Sequence, residues 1–129
     1  MIRVLDSTVL IDYLRGRPAV GRVRAATAAG DVAATTAINV EEVVRGLRDD
    51  EAAAAQTLFR ALLVLPIDAS AAWRAGSWRR SYAAGGITLW QADCLIAAVA
   101  VVNAATLVTG NPRDFPMPDV QVEHWPVGT

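Results

Sequence analysis

Ile2-Arg3-Val4-Leu5-Asp6 is a short apolar run that stops on a carboxylate. Ala105-Thr106-Leu107-Val108-Thr109 repeats the pattern near the other end, reaching Asp114 through the turn Gly110-Asn111-Pro112-Arg113. Both runs read as strands, and similar signals lie at Val32–Thr35, Leu63–Ile67 and Val120–Glu123. Helical stretches fall between them, at Thr8–Leu14, Pro18–Ala29, Asn39–Arg48, Glu51–Leu62, Ser70–Ala84 and Asp93–Val102. Strands that alternate with helices predict parallel βαβ units, hence an α/β fold with three α/β/α layers around a mainly parallel sheet. In such sheets ligands bind at the carboxyl ends of the strands, where Asp6 and Asp114 would stand.

The 129 residues suit a single domain spanning the whole chain, 1–129, able to bury roughly two-thirds of its surface. Hydrophobic residues make up 53% and charged residues 19%, which excludes disorder and leaves an apolar share suggesting that part of the surface is covered by another chain. One cysteine and one histidine leave no set of ligands for zinc. The opening residues enter a strand directly, and the longest apolar run, Cys94–Val102, is far short of the ~20 residues that cross a bilayer. A cytoplasmic protein without a membrane segment is expected. The net charge of −1 argues against gripping nucleic acid through bulk positive charge, so any RNA contact must be local. Every basic residue is arginine; a phosphate-binding loop, which needs a lysine, is thereby excluded.

Each acid has an ordinary reading beside a chemical one. Asp6 fits a helix N-cap as well as a strand-end site, with Ser7 and Thr8 as alternative caps. Glu42 lies opposite the stripe Val40, Val43, Val44 and Leu47, which favours solvent, although Gly46 one turn later leaves room for a phosphate. Asp93 opens a helix that is apolar all round, so its charge must be capped, paired or bound to a metal. Asp114 and Asn111 fit turn chemistry equally well. Asp12, Asp31, Asp49, Asp50, Glu51, Asp68, Asp119 and Glu123 read as surface or turn charges, and His124 as an edge residue without a catalytic partner. Trp73, Trp78 and Tyr82 read as packing, Cys94 as a small buried group, and Arg15, Arg17, Arg22 and Arg24 as a solvated basic face. Gathered carboxylates would repel one another, which makes a hard divalent cation such as Mg²⁺ a natural tenant.

The order of these blocks resembles the VapC toxins of the PIN-domain nuclease family. Ile2-Arg3-Val4-Leu5-Asp6-Ser7-Thr8-Val9-Leu10-Ile11-Asp12 is similar to the family's opening. Glu42-Val43-Val44-Arg45-Gly46 resembles its Glu-x-x-x-Gly helix, Asp93-Cys94-Leu95-Ile96-Ala97-Ala98 its Asp-Ala-Leu-Ile-Ala-Ala helix, and Ala105-Thr106-Leu107-Val108-Thr109-Gly110-Asn111-Pro112-Arg113-Asp114-Phe115 its last acidic block. The resemblance implies a PIN-like fold and an endoribonuclease that cuts structured RNA such as tRNA or rRNA. It implies Mg²⁺, with Mn²⁺ as a substitute, held by Asp6, Glu42, Asp93 and Asp114. Thr8 matches the hydroxyl residue after the first acid, although Ser7-Thr8 inverts the usual order. Asn111 stands where some members carry another acid, and Gly110 replaces a frequently larger residue. Arg15, Arg17 and Arg113 are the candidate substrate contacts. The implied partners are a VapB-type antitoxin and a second copy of the chain in a homodimer. The expected antitoxin groove draws on Leu10, Tyr13, Leu14, Val43, Leu47, Leu58 and Leu62, and the expected dimer face lies on the side of Asp93–Val102. Two rivals stay open: a module that binds RNA or protein without cutting, and a small-molecule phosphohydrolase. The latter is disfavoured by the missing lysine and by Thr8 standing where a second acid would be needed.

Overall fold

A computed structural model describes residues 1–128. Strands β1 (Ile2–Leu5), β2 (Val32–Thr36), β3 (Leu63–Leu65), β4 (Thr106–Thr109) and β5 (Val122–His124) form one sheet in the order β3-β2-β1-β4-β5, with every pairing parallel. The helices are α1 (Ser7–Leu14), α2 (Ala19–Ala28), α3 (Ala37–Arg45), α4 (Ala52–Ala61), α5 (Ala69–Ala84) and α6 (Gln91–Val102). Single 3-10 turns occupy Asp49–Glu51 and Pro112–Asp114.

The two-residue period of the strands sorts the core into two layers. Val4 and Leu107 point to one face, where α5 and α6 cover them with Ala71, Ala75, Trp78, Ile96, Ala97 and Val99. Leu5 and Val108 point to the other, against Val9, Leu10, Ala19, Val43, Leu58 and Leu62 from α1 to α4. The expected three-layer α/β/α architecture is therefore present. Chain order reverses beside β1, because the chain passes first to β2 and β3 and later returns to add β4 on β1's other edge. Leu5 pairs with Val108, so the carboxyl ends of β1 and β4 open side by side into the crevice that such a reversal creates.

Several expected boundaries shift for local reasons. Helix α3 ends at Arg45 because Gly46 caps it, and β3 stops before Pro66, whose nitrogen has no hydrogen to donate to a ladder. Helix α6 begins two residues before Asp93, with Trp90 as its N-cap. Asp68 is a cap for α5, accepting the Ala71 amide at 2.8 Å. Asp31 and Glu123 flank Arg3, which bonds to both across the sheet.

Two readings are corrected. Asp12 is not a surface charge: it is 3% exposed and accepts the backbone N–H of Ala19 at 3.0 Å and of Gly128 at 3.2 Å. It thereby fixes the entry to α2 and draws the C-terminal segment onto α1. Leu10, Val43, Leu58 and Leu62 do not line a groove, since all four are buried in the second core layer; only Tyr13, Leu14 and Leu47 remain half-buried at its rim. Helix α6 buries Cys94 and Ile96–Ala100 beneath α5 and against the sheet, leaves Leu95 and Val101 half-buried, and exposes Val102 on the side where the dimer face is expected. Within the stripe of α3 only Val43 is buried, and Val44 faces outward. No helix among the described residues is long and apolar enough to cross a membrane.

Candidate active site

Asp6 follows β1 directly and is only 6% exposed. Burial pushes its carboxyl above the ordinary carboxylate range, and hydrogen bonds from Thr109, the Ser7 backbone, Thr8 and Asn39 pull the other way. The Thr109 hydroxyl donates to Asp6 Oδ2 at 2.7 Å and accepts the Asn111 amide at 3.0 Å. The Thr8 hydroxyl donates to the same oxygen at 3.3 Å and accepts the Gly110 amide at 2.9 Å. The neighbouring ends of β1 and β4 are thus laced through one carboxylate.

Asn39 completes the lacing from α3. It is fully buried, and its Nδ2 donates to Asp6 Oδ1 at 3.2 Å and to Ser7 Oγ at 3.0 Å. Ser7 Oγ in turn donates to Glu42 Oε1 at 2.8 Å. Asn39 is itself held by Thr36, the N-cap of α3, whose hydroxyl accepts the Asn39 amide at 3.3 Å and donates to Asn39 Oδ1 at 2.7 Å. Glu42 is therefore tied to Asp6 through a chain of polar side chains, and the solvent-facing reading of that residue gives way. The buried polar atoms are all partnered among the described residues.

Asp93 sits in the first turn of α6, where the helix dipole favours a negative charge. Its pKa nevertheless rises to about 6, first through burial and then through the charges of Asp114, Asp6 and Glu42. Asp114, Asp6 and Glu42 therefore all lie near enough to Asp93 for their charges to act on it. Asp114 comes from the 3-10 turn after β4 and is exposed, as are Asn111 and Arg113 beside it. Asn111 contributes its backbone N–H to the Thr109 hydroxyl. Arg15 and Arg17, also exposed, join Thr8, Ile11, Asp12 and Val127 around a hollow of about 220 Å³ that reaches the site at Thr8. Larger hollows elsewhere, including one of about 540 Å³ beneath Trp73 and Arg74, touch none of the four acids.

Among the described residues no three acidic, histidine or cysteine side chains stand close enough to enclose an ion by themselves. The charges of Asp114, Asp6 and Glu42 reach Asp93, but the side chains do not close into a cage. An all-oxygen donor set of this kind fits Mg²⁺, which keeps several waters and is held by one or two carboxylates together with substrate phosphate.

Sequence reading missed Asn39, Ser7 and Thr109. A signal for Asn39 was available in Thr36-Ala37-Ile38-Asn39, whose spacing is that of a reciprocal N-terminal cap. Gly110 also has a reason to lack a side chain. A Cβ there would stand 2.7 Å from Val127 Cγ1 and 3.3 Å from Thr8 Oγ1, which would push away the hydroxyl that the Gly110 amide holds.

The PIN-domain family model matches residues 3–119. Over 122 residues the chain is 34% identical to Ribonuclease VapC19 of Mycobacterium tuberculosis, a span covering 93% of this chain and 98% of that protein. The fold matches VapBC2 from Rickettsia felis, solved with a promoter DNA fragment, with a TM-score of 0.83 at 22% identity over 97% of this chain and 99% of that one. It also matches DNA-bound VapBC from Salmonella typhimurium, with a TM-score of 0.83 at 24% identity over 97% and 98%. The chain belongs to the PIN-domain family, and within it to the VapC branch.

Proposed function

We propose that this chain is a metal-dependent endoribonuclease, the toxin of a toxin–antitoxin pair, which cuts structured cellular RNA such as tRNA or rRNA. The observation that carries the reading is Asp93, a half-buried carboxylate whose pKa is pushed up to about 6 by burial and then by the charges of Asp114, Asp6 and Glu42, at the switch point of a parallel sheet. Such an arrangement weakens the metal-free fold and gains from a divalent cation. The relationship to a protein called a ribonuclease supports the same chemistry.

In this reading Asp6, Glu42, Asp93 and Asp114 hold Mg²⁺, with Mn²⁺ as a substitute. The metal supplies an activated water and stabilises charge on the phosphodiester oxygens. The protein's own part is positional. Thr109 and Asn39 fix the two Asp6 oxygens, and Ser7 fixes Glu42. Arg15 and Arg17 flank the Thr8 side of the crevice and Arg113 the Asp114 side, where each would neutralise an RNA phosphate.

The partner in this reading is a VapB-type antitoxin, supported by structural neighbours that are VapBC complexes. Its seat would lie between α1 and the end of α3, where Ile11, Tyr13, Leu14 and Leu47 are half-buried, with a toxin homodimer as the second association. Purified protein should cleave RNA with Mg²⁺ or Mn²⁺, lose the activity in EDTA, and lose at least ~100-fold as Asp6→Asn or Asp93→Asn. Undiminished cleavage in EDTA would remove the metal from the mechanism. Metal-saturated wild type that binds RNA and leaves it intact would make this a binding module instead. Co-expression with the product of an adjacent small reading frame, followed by light scattering, tests the antitoxin and homodimer.

A further inference from the structure

Trp90 is the N-cap of α6 and is 73% exposed, although an indole is among the costliest side chains to leave in water. Leu89, next to it, is buried and pins the loop, so the chain turns Trp90 outward from a fixed base. In an α-helix the N-cap and the third helical residue stand over the same turn, and the third residue of α6 is Asp93. The exposed residue therefore stands within one helical turn of Asp93, at the start of α6. Arg79 of α5 reaches the same place, with its Nε donating to the Leu89 carbonyl at 3.3 Å while the residue stays exposed. The turn that leaves α5 is closed by the Ile87 amide, which bonds back to the Tyr82 carbonyl at 2.9 Å.

We propose that Trp90 and Arg79 form a nucleotide subsite beside the crevice, in which the indole stacks on a splayed single-stranded base and the guanidinium takes an adjacent phosphate. An exposed aromatic face with a cation one residue away matches the needs of unpaired RNA, whose bases present a π-face and whose backbone is anionic. Arg79 gives this rim the local positive charge that the chain's net charge of −1 withholds from the surface as a whole. The subsite rests on the ribonuclease reading and deepens it, because it selects RNA with an unpaired base next to the scissile bond. Trp73, at 79% exposed, is the natural control: it lies near the start of α5, at the end of that helix away from Trp90.

The probes are a short mixed-sequence single-stranded RNA, the same RNA with abasic positions, and a blunt RNA duplex. Binding is read by fluorescence anisotropy with Ca²⁺ in place of Mg²⁺, and cleavage is read separately with Mg²⁺. Trp90→Ala should weaken single-stranded RNA binding by about fivefold to 150-fold, the range for losing one stacked base. Trp90→Phe should keep most of the affinity, and Trp73→Ala all of it. On abasic RNA, wild type and Trp90→Ala should bind alike. Arg79→Gln, which can still bond to Leu89, should lower the slope of log affinity against log salt by about 0.7. Equal binding of the single-stranded probe by wild type and Trp90→Ala overturns the subsite, and so does an equal loss on abasic RNA or duplex. A change of oligomeric state in Trp90→Ala with RNA binding intact would assign the indole to a contact between copies instead. Wild type that cuts RNA while Trp90→Ala matches it in binding and cleavage sinks the subsite alone, whereas wild type that neither binds nor cuts RNA sinks both readings.

Discussion

Asn39 touches no position that a substrate could reach, yet it has leverage over two of the acids. Its amide spans Asp6 and Ser7, and Ser7 passes the constraint to Glu42. Residues that orient metal ligands typically change affinity or activity by 10- to 100-fold when removed. Asn39→Ala should therefore weaken Mg²⁺ binding and RNA cleavage by roughly that factor, seen as a higher Mg²⁺ concentration for half-maximal rate. Saturating Mg²⁺ should recover part of the rate, which distinguishes a loosened site from a lost ligand. A variant with an unchanged Mg²⁺ profile would reduce Asn39 to a packing residue. The same residues show where sequence reading stops. Asp6 and Asp93 were legible because each acid interrupts or opens an apolar segment, where a charge needs a reason. Asn39, Ser7 and Thr109 were not, because a polar residue at a helix start or strand end has many ordinary uses and the bond that matters crosses 32 to 103 positions in sequence.

At the scale of elements, periodicity was a good guide to existence and a poor one to partners. All five strands and six helices lie where the alternation of apolar and polar residues predicts them, with ends moved by Gly46, Pro66 and Trp90. What the pattern could not tell was which neighbour takes each apolar face. Leu10, Val43, Leu58 and Leu62 looked available for a partner helix and are instead consumed by packing of α1, α3 and α4 on the sheet. The run through α6 was legible as buried, and its small residues have a specific role. Ala97, Ala98 and Ala100 are fully buried where α6 meets α5 and the sheet, so the alanines set how near the helix can lie. Ala98→Leu would force three extra heavy atoms into that seam, and overpacking of this kind costs about 1–3 kcal/mol. Chemical denaturation should show a lower midpoint with an unchanged slope. Because α6 also carries Asp93, the Mg²⁺ requirement should rise at the same time. An Ala98→Leu variant as stable as wild type would mean that the α6 layer is looser than its burial indicates.

For the molecule as a whole, the acids set a conflict between folding and function that pH exposes. Folding raises the Asp93 pKa from 3.8 to about 6 and raises that of Asp6 in the same direction. A group with a raised folded pKa binds its proton more tightly in the native state. Its contribution to stability is therefore fully present below pH ~4 and is lost as the pH climbs through about 6. In EDTA the melting temperature should fall between pH 5 and pH 7 to the extent that Asp93 ionises, on top of whatever the other groups contribute. Asp93→Asn should flatten that part of the decline and melt higher than wild type at pH 7. In the proposed function Mg²⁺ acts in the opposite sense, since it would bind the ionised carboxylates and would have to displace a proton from Asp93 at low pH. The stabilisation by a fixed Mg²⁺ concentration should accordingly grow from pH 5 to pH 7, approaching ~2.7 kcal/mol where the metal is at a hundred times its dissociation constant. Calorimetry in two buffers of different ionisation enthalpy would count the protons released. If the Mg²⁺-induced shift in melting temperature is the same at pH 5 and pH 7, Asp93 is not among the groups the metal meets, and the crevice would have to bind its ion through Asp6, Glu42 and Asp114 without it.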